Sequence, residues 1–265
     1  MNILTIDNKN IVVAIPSYKR PSVKTLKYLP FATVFVSQSE EELYRANNDG
    51  ISLEVMPDEV QGNIARVRNY ILNKCFDDPD IDYFAVIDDD MTEMFYFENA
   101  KKVHLEADDF LGFILKYSRL CESWGLSSWG VNLNGDSQNY RTMTPFSTVS
   151  PVLAPFTAFV RDNGNRYDES IPLKEDYDYF IQNCDIDRGM MRVNKYCYVV
   201  KQSEQPGGAA AMRNRVEEER QLLLLRKKWG SSIVHIDQAD RSHKSGKVRK
   251  KVDYNPVIHI PIKGV

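Results

Sequence analysis

Short apolar runs separated by polar turns mark the first third of the chain. They fall at 11–16 (IVVAIP), 32–37 (ATVFVS), 52–56 (SLEVM) and 82–88 (DYFAVID). Runs of this length, rich in β-branched and aromatic residues, predict strands buried on both faces. Between them the spacing turns helical. A short helix is expected at 22–29, a brief one at 40–48 and a longer one at 62–76, where Ile64, Val67, Ile71, Leu72 and Cys75 share one face. The β-α-β-α-β-α-β order predicts an α/β fold with a mainly parallel sheet covered by helices on both faces. In such sheets, ligands bind beyond the carboxyl ends of the strands.

In the second half, Phe110, Phe113, Ile114, Tyr117, Leu120, Cys121 and Trp124 recur at helical spacing within 106–125, and Gly125 offers a stop. Strands are expected at 126–133 and 152–160, a helix at 175–184, a strand at 191–200, and a helix at 217–229 closed by Gly230. A basic stretch, RSHKSGKVRKK (241–251), precedes an apolar tail, PVIHIPI (256–262). These elements are expected to complete one domain spanning 1–265.

Composition narrows the class. A chain of 265 residues with 43% hydrophobic content suits one large α/β domain. The formal charge of −3 argues neither for nor against a nucleic-acid partner, so any electrostatic footprint must be local. Cys75, Cys121, Cys184 and Cys197 show no metal or redox spacing and read as buried thiols in a reducing cytoplasm. The N-terminal MNILTIDNKN lacks the pattern of a signal peptide. No apolar run approaches the roughly 20 residues that cross a bilayer, so no membrane partner is expected.

Three stretches carry chemistry. Asp88, Asp89 and Asp90 follow directly on an apolar strand. Like charges there repel, and a hard divalent ion such as Mg2+ or Mn2+ would turn that repulsion into attraction while also binding phosphate. A solvated acidic turn is the ordinary explanation of such a run; the preceding strand and its place at the sheet's carboxyl edge favour the ion. Arg68 falls inside the apolar face of the 62–76 helix, where a guanidinium needs an anion. An internal carboxylate would serve, as would a diphosphate at the helix start, where backbone N–H groups favour anions. In LKEDYDYF (173–180), Glu175, Asp176 and Asp178 sit at an expected helix start. Capping alone would favour them there; a general base for an acceptor hydroxyl would use the same carboxylates.

Taken in order, AIPSYKR, GNIARVRNY, YFAVIDDDM and KEDYDYF resemble the inverting nucleotide-sugar transferases of the GT-A fold. With QPGGAAAMRNR (205–215), the combination resembles the TET-associated glycosyltransferases of bacteriophages, relatives of the base J glucosyltransferase. The resemblance covers about residues 11 to 230. It implies a nucleotide-sugar-binding half over about 1–100 and an acceptor-binding half over about 101–265, and a UDP-sugar donor with Mn2+ or Mg2+. Pro16, Ser17 and Arg20 would line the base and ribose pocket, and Arg68 with Asn69 would meet the donor's phosphates. Asp88 and Asp90 match the DxD motif as metal and donor ligands, with Asp89 beside the donor and His243 as a further metal ligand. Asp176 would be the base, supported by Glu175.

For this family the implied acceptor is a hydroxymethylated pyrimidine in DNA, probed by Tyr177, Gly207, Gly208, Lys250 and Lys251. Residues 241–251 hold six basic side chains and no acidic one, a charge pattern that can neutralise DNA phosphates. Tyr167, Tyr177 or Tyr179 could stack on a flipped base, or pack in the core. A phage-encoded enzyme of this kind would work in the host cytoplasm. Three other readings stay open: a GT-A enzyme acting on a glycan or protein, a nucleic-acid-binding module with an inactive site, and a nucleotidyltransferase.

Overall fold

The computed structural model describes residues 1–99, 101–133, 135, 140–200, 214–236 and 254–262. The strands are β1 (Leu4–Ile6), β2 (Lys9–Pro16), β3 (Thr33–Ser37), β4 (Ser52–Met56), β5 (Tyr83–Ile87), β6 (Met91–Glu98), β7 (Lys101–Leu105), β8 (Ser128–Asn132), β9 (Phe146–Ser147), β10 (Phe156–Phe159), β11 (Met191–Val200), β12 (Val234–Ile236) and β13 (Pro256–Ile258). The helices are α1 (Glu41–Asn47), α2 (Ile64–Phe76), α3 (Phe110–Ser123), α4 (Glu175–Ile186) and α5 (Arg215–Trp229).

One large sheet runs in the order β4-β3-β2-β5-β10-β8-β11-β6-β7. The first four strands are mutually parallel, as the alternating pattern of strands and helices predicts. Beyond β5 the sheet becomes mixed. β10 lies antiparallel to both β5 and β8, β8 is parallel to β11, and β6 returns antiparallel to β11. β12 and β13 form a separate two-stranded ribbon, which accounts for part of the apolar tail.

The strands are continuously apolar because each faces two cores. Ile11, Val13 and Ile15 of β2, with Tyr83, Ala85 and Ile87 of β5, pack with Phe110, Phe113, Ile114 and Tyr117 of α3. Their alternating neighbours Val12, Ala14, Phe84 and Val86 pack on the other face with α2, α4 and α5. The period of two along a strand thus sends successive side chains to opposite helical layers. No described helix is long and apolar enough to cross a membrane. No disulfide joins the four cysteines, all of them buried.

The helix expected at 22–29 shrinks to a single 3-10 turn at Thr25–Lys27. Pro21 and Pro30 bracket it, and the backbone N–H groups of Lys24 and Thr25 donate to the carbonyl of Asp89. Those donors serve a tertiary contact in place of a helical ladder. The turn therefore braces the acidic stretch from below.

Candidate active site

The parallel strands β2, β3 and β5 all end on the same edge of the sheet. Ser17 follows β2, and Asp88 follows β5. Helix α2 is the crossover between β4 and β5, so it begins at this edge. Its N-cap is Asn63, whose side-chain oxygen accepts from the N–H groups of Ala65 and Arg66 at 3.0 and 3.4 Å. A cap of this kind contributes about 1 kcal/mol. Helical Cα–Cβ bonds tilt toward the N-terminus, which carries the Arg68 side chain back over the strand ends.

Arg68 is 3% exposed. Its guanidinium donates to Asp88 Oδ1 at 2.9 Å and makes a very short contact with Glu175. It also lies over the Tyr167 ring, 5.7 Å from the centroid. The two alternatives that the sequence left open meet here in part: internal carboxylates pair the two terminal nitrogens of the guanidinium, and they are the same carboxylates singled out for chemistry, while Nε has no partner among the described residues. Asp88 and Glu175 raise the proton affinity of Arg68 despite burial, which acts to lower it. A buried charge of this sort is tolerated only when paired.

The three aspartates separate by role. Asp88 faces Arg68, and its backbone N–H donates to the carbonyl of Pro155 at 3.2 Å. Asp89 turns to the other side. It is buried and accepts from Ser17 Oγ at 2.6 Å and from Arg20 at 2.7 Å. Ser17 Oγ also meets the Tyr44 hydroxyl at 2.8 Å. The loop after β2 is therefore tied to the aspartate run by a hydrogen-bonded chain through Ser17 and Arg20. Asp90 is half-buried, and burial together with the charges of Asp88 and Asp89 pushes its carboxyl up to about 6. Three carboxylates in succession hold more negative charge than Arg20 and Arg68 balance, and hard oxygen donors of this kind suit a divalent cation. Among the described residues, no three His, Cys, Asp or Glu side chains converge as a ready-made metal site.

Glu175 and Asp176 open α4, where the helix dipole favours negative charge. Asp176 accepts from the Tyr177 N–H at 2.8 Å and, at a long 3.5 Å, from the Ala154 N–H. Glu175 is buried and Asp176 half-buried; desolvation raises the proton affinity of each, the charge of Asp176 raises that of Glu175 further, and Arg68 opposes the rise. The preceding Lys174 is 2% exposed and paired with Glu218 of α5 at 2.5 Å. That pair anchors the start of α4 to α5.

Other expected site residues take different places. Pro16 is the buried last residue of β2. The Asn69 amide clamps the backbone of Tyr167, donating to its carbonyl at 2.9 Å and accepting its N–H at 2.7 Å. Tyr167 and Tyr179 stack on each other at 4.4 Å, so core packing is the role these two rings take. Tyr177 is buried on α4 within the same core. Gly207, Gly208, His243, Lys250 and Lys251 lie outside the described residues. Sequence reasoning did not single out Tyr44 or Thr25. Thr25 donates its hydroxyl to the Asp88 carbonyl at 2.7 Å, and nothing in the local sequence around it signals that bond.

No protein-family model matches the chain, and no curated protein does. Among solved structures, it is similar to glucosyl-3-phosphoglycerate synthase from Mycobacterium tuberculosis, solved with Mn2+, UDP and glucosyl-3-phosphoglycerate. The identity is 12%, over 84% of this chain and 82% of that one, with a TM-score of 0.49. It is also similar to TarS residues 1–349 from S. aureus, at 11% identity over 82% of this chain and 64% of that one, with a TM-score of 0.46. A197 from STIV is a third, at 13% identity over 77% of this chain and 91% of that one, with a TM-score of 0.39.

Proposed function

We propose that the chain is a glycosyltransferase of the GT-A type, one domain with a donor half over about 1–100 and an acceptor half over about 101–265. It moves a sugar from a UDP-sugar to the hydroxyl of a 5-hydroxymethylpyrimidine in DNA, 5-hydroxymethylcytosine foremost, with inversion, as part of phage DNA hypermodification in the host cytoplasm. The observation that carries the reading is the Arg68 guanidinium held between Asp88 and Glu175 at the carboxyl edge of the parallel strands. Three of the stretches on which the GT-A resemblance rests meet at that guanidinium, and the fourth, AIPSYKR, joins them through Asp89.

The chemistry follows from the charges. The acceptor oxygen forms a bond to the anomeric carbon as the bond from that carbon to the diphosphate breaks. Negative charge grows on the departing UDP, and Arg68 stabilises it more as the bond opens. Asp176 takes the acceptor's proton, with Glu175 supporting it beside Arg68. Ser17, Arg20 and Asp89 form the wall that would receive the nucleoside, with Pro16 ending the strand beneath them. Asp88 and Asp90, with His243, would hold Mn2+ or Mg2+, which when bound supplies Lewis-acid stabilisation of the leaving diphosphate.

What supports DNA as acceptor is the basic segment 241–251, with Lys250 and Lys251 in it, and the Gly207–Gly208 pair in the sequence, which has no side chains to keep a nucleotide at a distance. The test is to incubate the protein with Mn2+, a panel of nucleotide sugars and DNA containing or lacking hydroxymethylcytosine, then weigh the digested nucleosides. A pentose or hexose added only to the hydroxymethylated base is expected. Transfer to a glycan or peptide panel instead would reassign the acceptor. An added nucleotide mass would mean nucleotidyl transfer, and DNA binding without turnover would mean a binding module.

A further inference from the structure

Among the described residues, Arg20, Arg68, Arg161 and Arg166 each pair with a carboxylate. Arg192 is half-buried on β11 and, among those residues, finds no carboxylate. Its Nε donates to Asn194 Oδ1 at 2.9 Å, and its Nη1 reaches the carbonyl of Pro151 at a long 3.4 Å. Both acceptors are neutral. Burial lowers the proton affinity of Arg192, whereas neighbouring carboxylates raise those of Arg20, Arg68 and Arg166. A guanidinium taken partly out of water without a counter-charge is unfavourable, and an uncharged side chain would sit there at less cost. The charge calls for an anion from outside the fold.

The strands beside it supply hydroxyls and close access to the candidate site. Arg192 stands directly opposite Ser147 of β9 in the antiparallel register, and residues opposed in this way share a face of the sheet. Ser147 Oγ donates to Ser150 Oγ at 2.7 Å, and Ser150 immediately precedes Pro151. Ser150 therefore keeps its own hydroxyl proton to offer. On its other flank Arg192 is paired with Gly130 of β8. A Cβ on Gly130 would fall 2.3 Å from Val152 Cγ1, so the missing side chain lets the segment after Ser150 lie on the sheet beside the guanidinium. That segment leads to the catalytic carboxylates: the Ala154 N–H contacts Asp176, and the Pro155 carbonyl accepts from the Asp88 N–H. From Pro151 to Ala154 the chain spans at most about 11 Å. The Arg192 cluster thus lies close to the proposed base.

We propose that Arg192, with the Ser150 hydroxyl that Ser147 orients, binds a phosphodiester of the acceptor strand next to the nucleotide that receives the sugar. Arginine's planar fork presents parallel N–H donors that match two phosphate oxygens. One guanidinium with neutral hydroxyls suits the single negative charge of a phosphodiester; a phosphomonoester carries nearly twice that. The proposal rests on the glycosyltransferase reading above and adds to it an acceptor contact on the central sheet, apart from the basic segment 241–251. Arg192 holds the acceptor and does not touch UDP. Its loss therefore raises KM for DNA and leaves the donor's affinity alone.

The experiment compares wild type, Arg192→Gln and Arg192→Lys on an oligonucleotide with one hydroxymethylcytosine. The linkages on both sides of that nucleotide are either ordinary or uncharged methylphosphonates. Transfer is measured with Mn2+ and an equimolar mixture of UDP-glucose, UDP-galactose and UDP-N-acetylglucosamine, UDP affinity by calorimetry and stability by thermal melting. Arg192→Gln is expected to melt at or above the wild-type temperature and to bind UDP within twofold of wild type. Its KM for ordinary DNA should rise by about tenfold with kcat little changed, the size of one lost charge-assisted contact. Methylphosphonate should raise the wild-type KM by a similar factor and that of Arg192→Gln by less than twofold, and Arg192→Lys should recover part of the loss. A wild-type KM in Arg192→Gln overturns the proposal, as does a methylphosphonate effect equally large in both proteins; either leaves the glycosyltransferase reading standing. So does a lowered melting temperature that accompanies the raised KM, which would make Arg192 a packing residue. A wild type that transfers no sugar to DNA overturns the DNA reading, and the anion site is then judged by itself. With UDP saturating, and chloride at equal ionic strength as the control, inorganic phosphate should raise the melting temperature of wild type and not that of Arg192→Gln; equal shifts in the two overturn the site as well.

Discussion

Arg68 Nη2 donates to Asp88 Oδ1 across 2.9 Å, joining the fifth residue of α2 to the first residue past β5. The bond fixes a helix to a strand end, and Glu175 closes the arrangement from α4. Removing the cation would leave the buried Glu175 and the half-buried Asp88 without compensation. Losing one member of a buried pair costs about 3–5 kcal/mol. Arg68→Met should therefore lower stability by about that amount in urea unfolding, and abolish transfer. Adding Glu175→Gln to that variant should restore part of the stability and none of the activity. Recovery of activity would remove Arg68 from the diphosphate site.

Asp89 and Asp90 are adjacent but should fail differently. Asp89 holds Ser17 Oγ and Arg20, so Asp89→Ala frees the loop after β2 and leaves a buried hydroxyl and a guanidinium short of an acceptor. Losing such bonds costs about 1–3 kcal/mol. Thermal melting should show that loss, together with weaker UDP binding. Asp90→Ala removes a carboxylate crowded by its neighbours. It should leave the melting temperature unchanged or higher while abolishing the Mn2+ dependence of transfer.

These contrasts also show what a reader of the sequence can and cannot see. The four parallel strands were legible because burial on both faces forces continuous apolar runs. Arg68 was legible because it interrupts an apolar helical face, where a charge requires a partner. The pairing of Ser17 with Asp89 was not, since it depends on a loop path set by Pro16 and by a backbone turn at Thr25–Lys27. The hairpin of β6 and β7 was missed as well. Its turn includes Asn99 at φ 49°, a left-handed residue that an Asn tolerates without a glycine to announce it. The Asn69 clamp on Tyr167 joins residues 98 positions apart, and local pattern does not reach that far.

Asp90 also predicts how stability responds to pH. Its carboxyl titrates near pH 6 in the folded chain, above its ordinary value of 3.8, because burial and two neighbouring carboxylates disfavour the charged form. The folded state thus binds the proton more tightly than the unfolded state between about pH 4 and pH 6. In that window stability contributed by this group falls as pH rises. In the presence of EDTA, Asp90→Asn should flatten the decline across that window. Mn2+ should offset the decline most above pH 6, where Asp90 is ionised. A slope unchanged by Asp90→Asn in melts from pH 4 to 7 would assign the decline to other groups.

Asp176→Asn tests the base directly. The amide keeps the side chain's shape, and its oxygen can still accept from the Tyr177 N–H. Donor binding should persist, because Asp176 faces the acceptor in the proposed reaction. Transfer should fall by about 10^2–10^4-fold, the span general-base catalysis supplies. Calorimetry with UDP and Mn2+ separates the outcomes. If the variant binds UDP poorly, Asp176 serves the donor and the base must be sought elsewhere, with Glu175 next in line.

The basic segment offers a last test, independent of the catalytic groups. If Lys250 and Lys251 neutralise DNA phosphates, each contact releases condensed counterions, and the logarithm of affinity falls with the logarithm of salt by about 0.9 per contact on duplex DNA. Replacing both by Gln should weaken binding at low salt and reduce the slope by roughly one to two. Hydrolysis of the nucleotide sugar in the absence of DNA should be unaffected, since that reaction needs the groups paired around Arg68 and no contact with DNA phosphate. A salt slope equal to that of the wild type would mean that these charges face solvent, and that DNA, if it binds, follows another path across the protein.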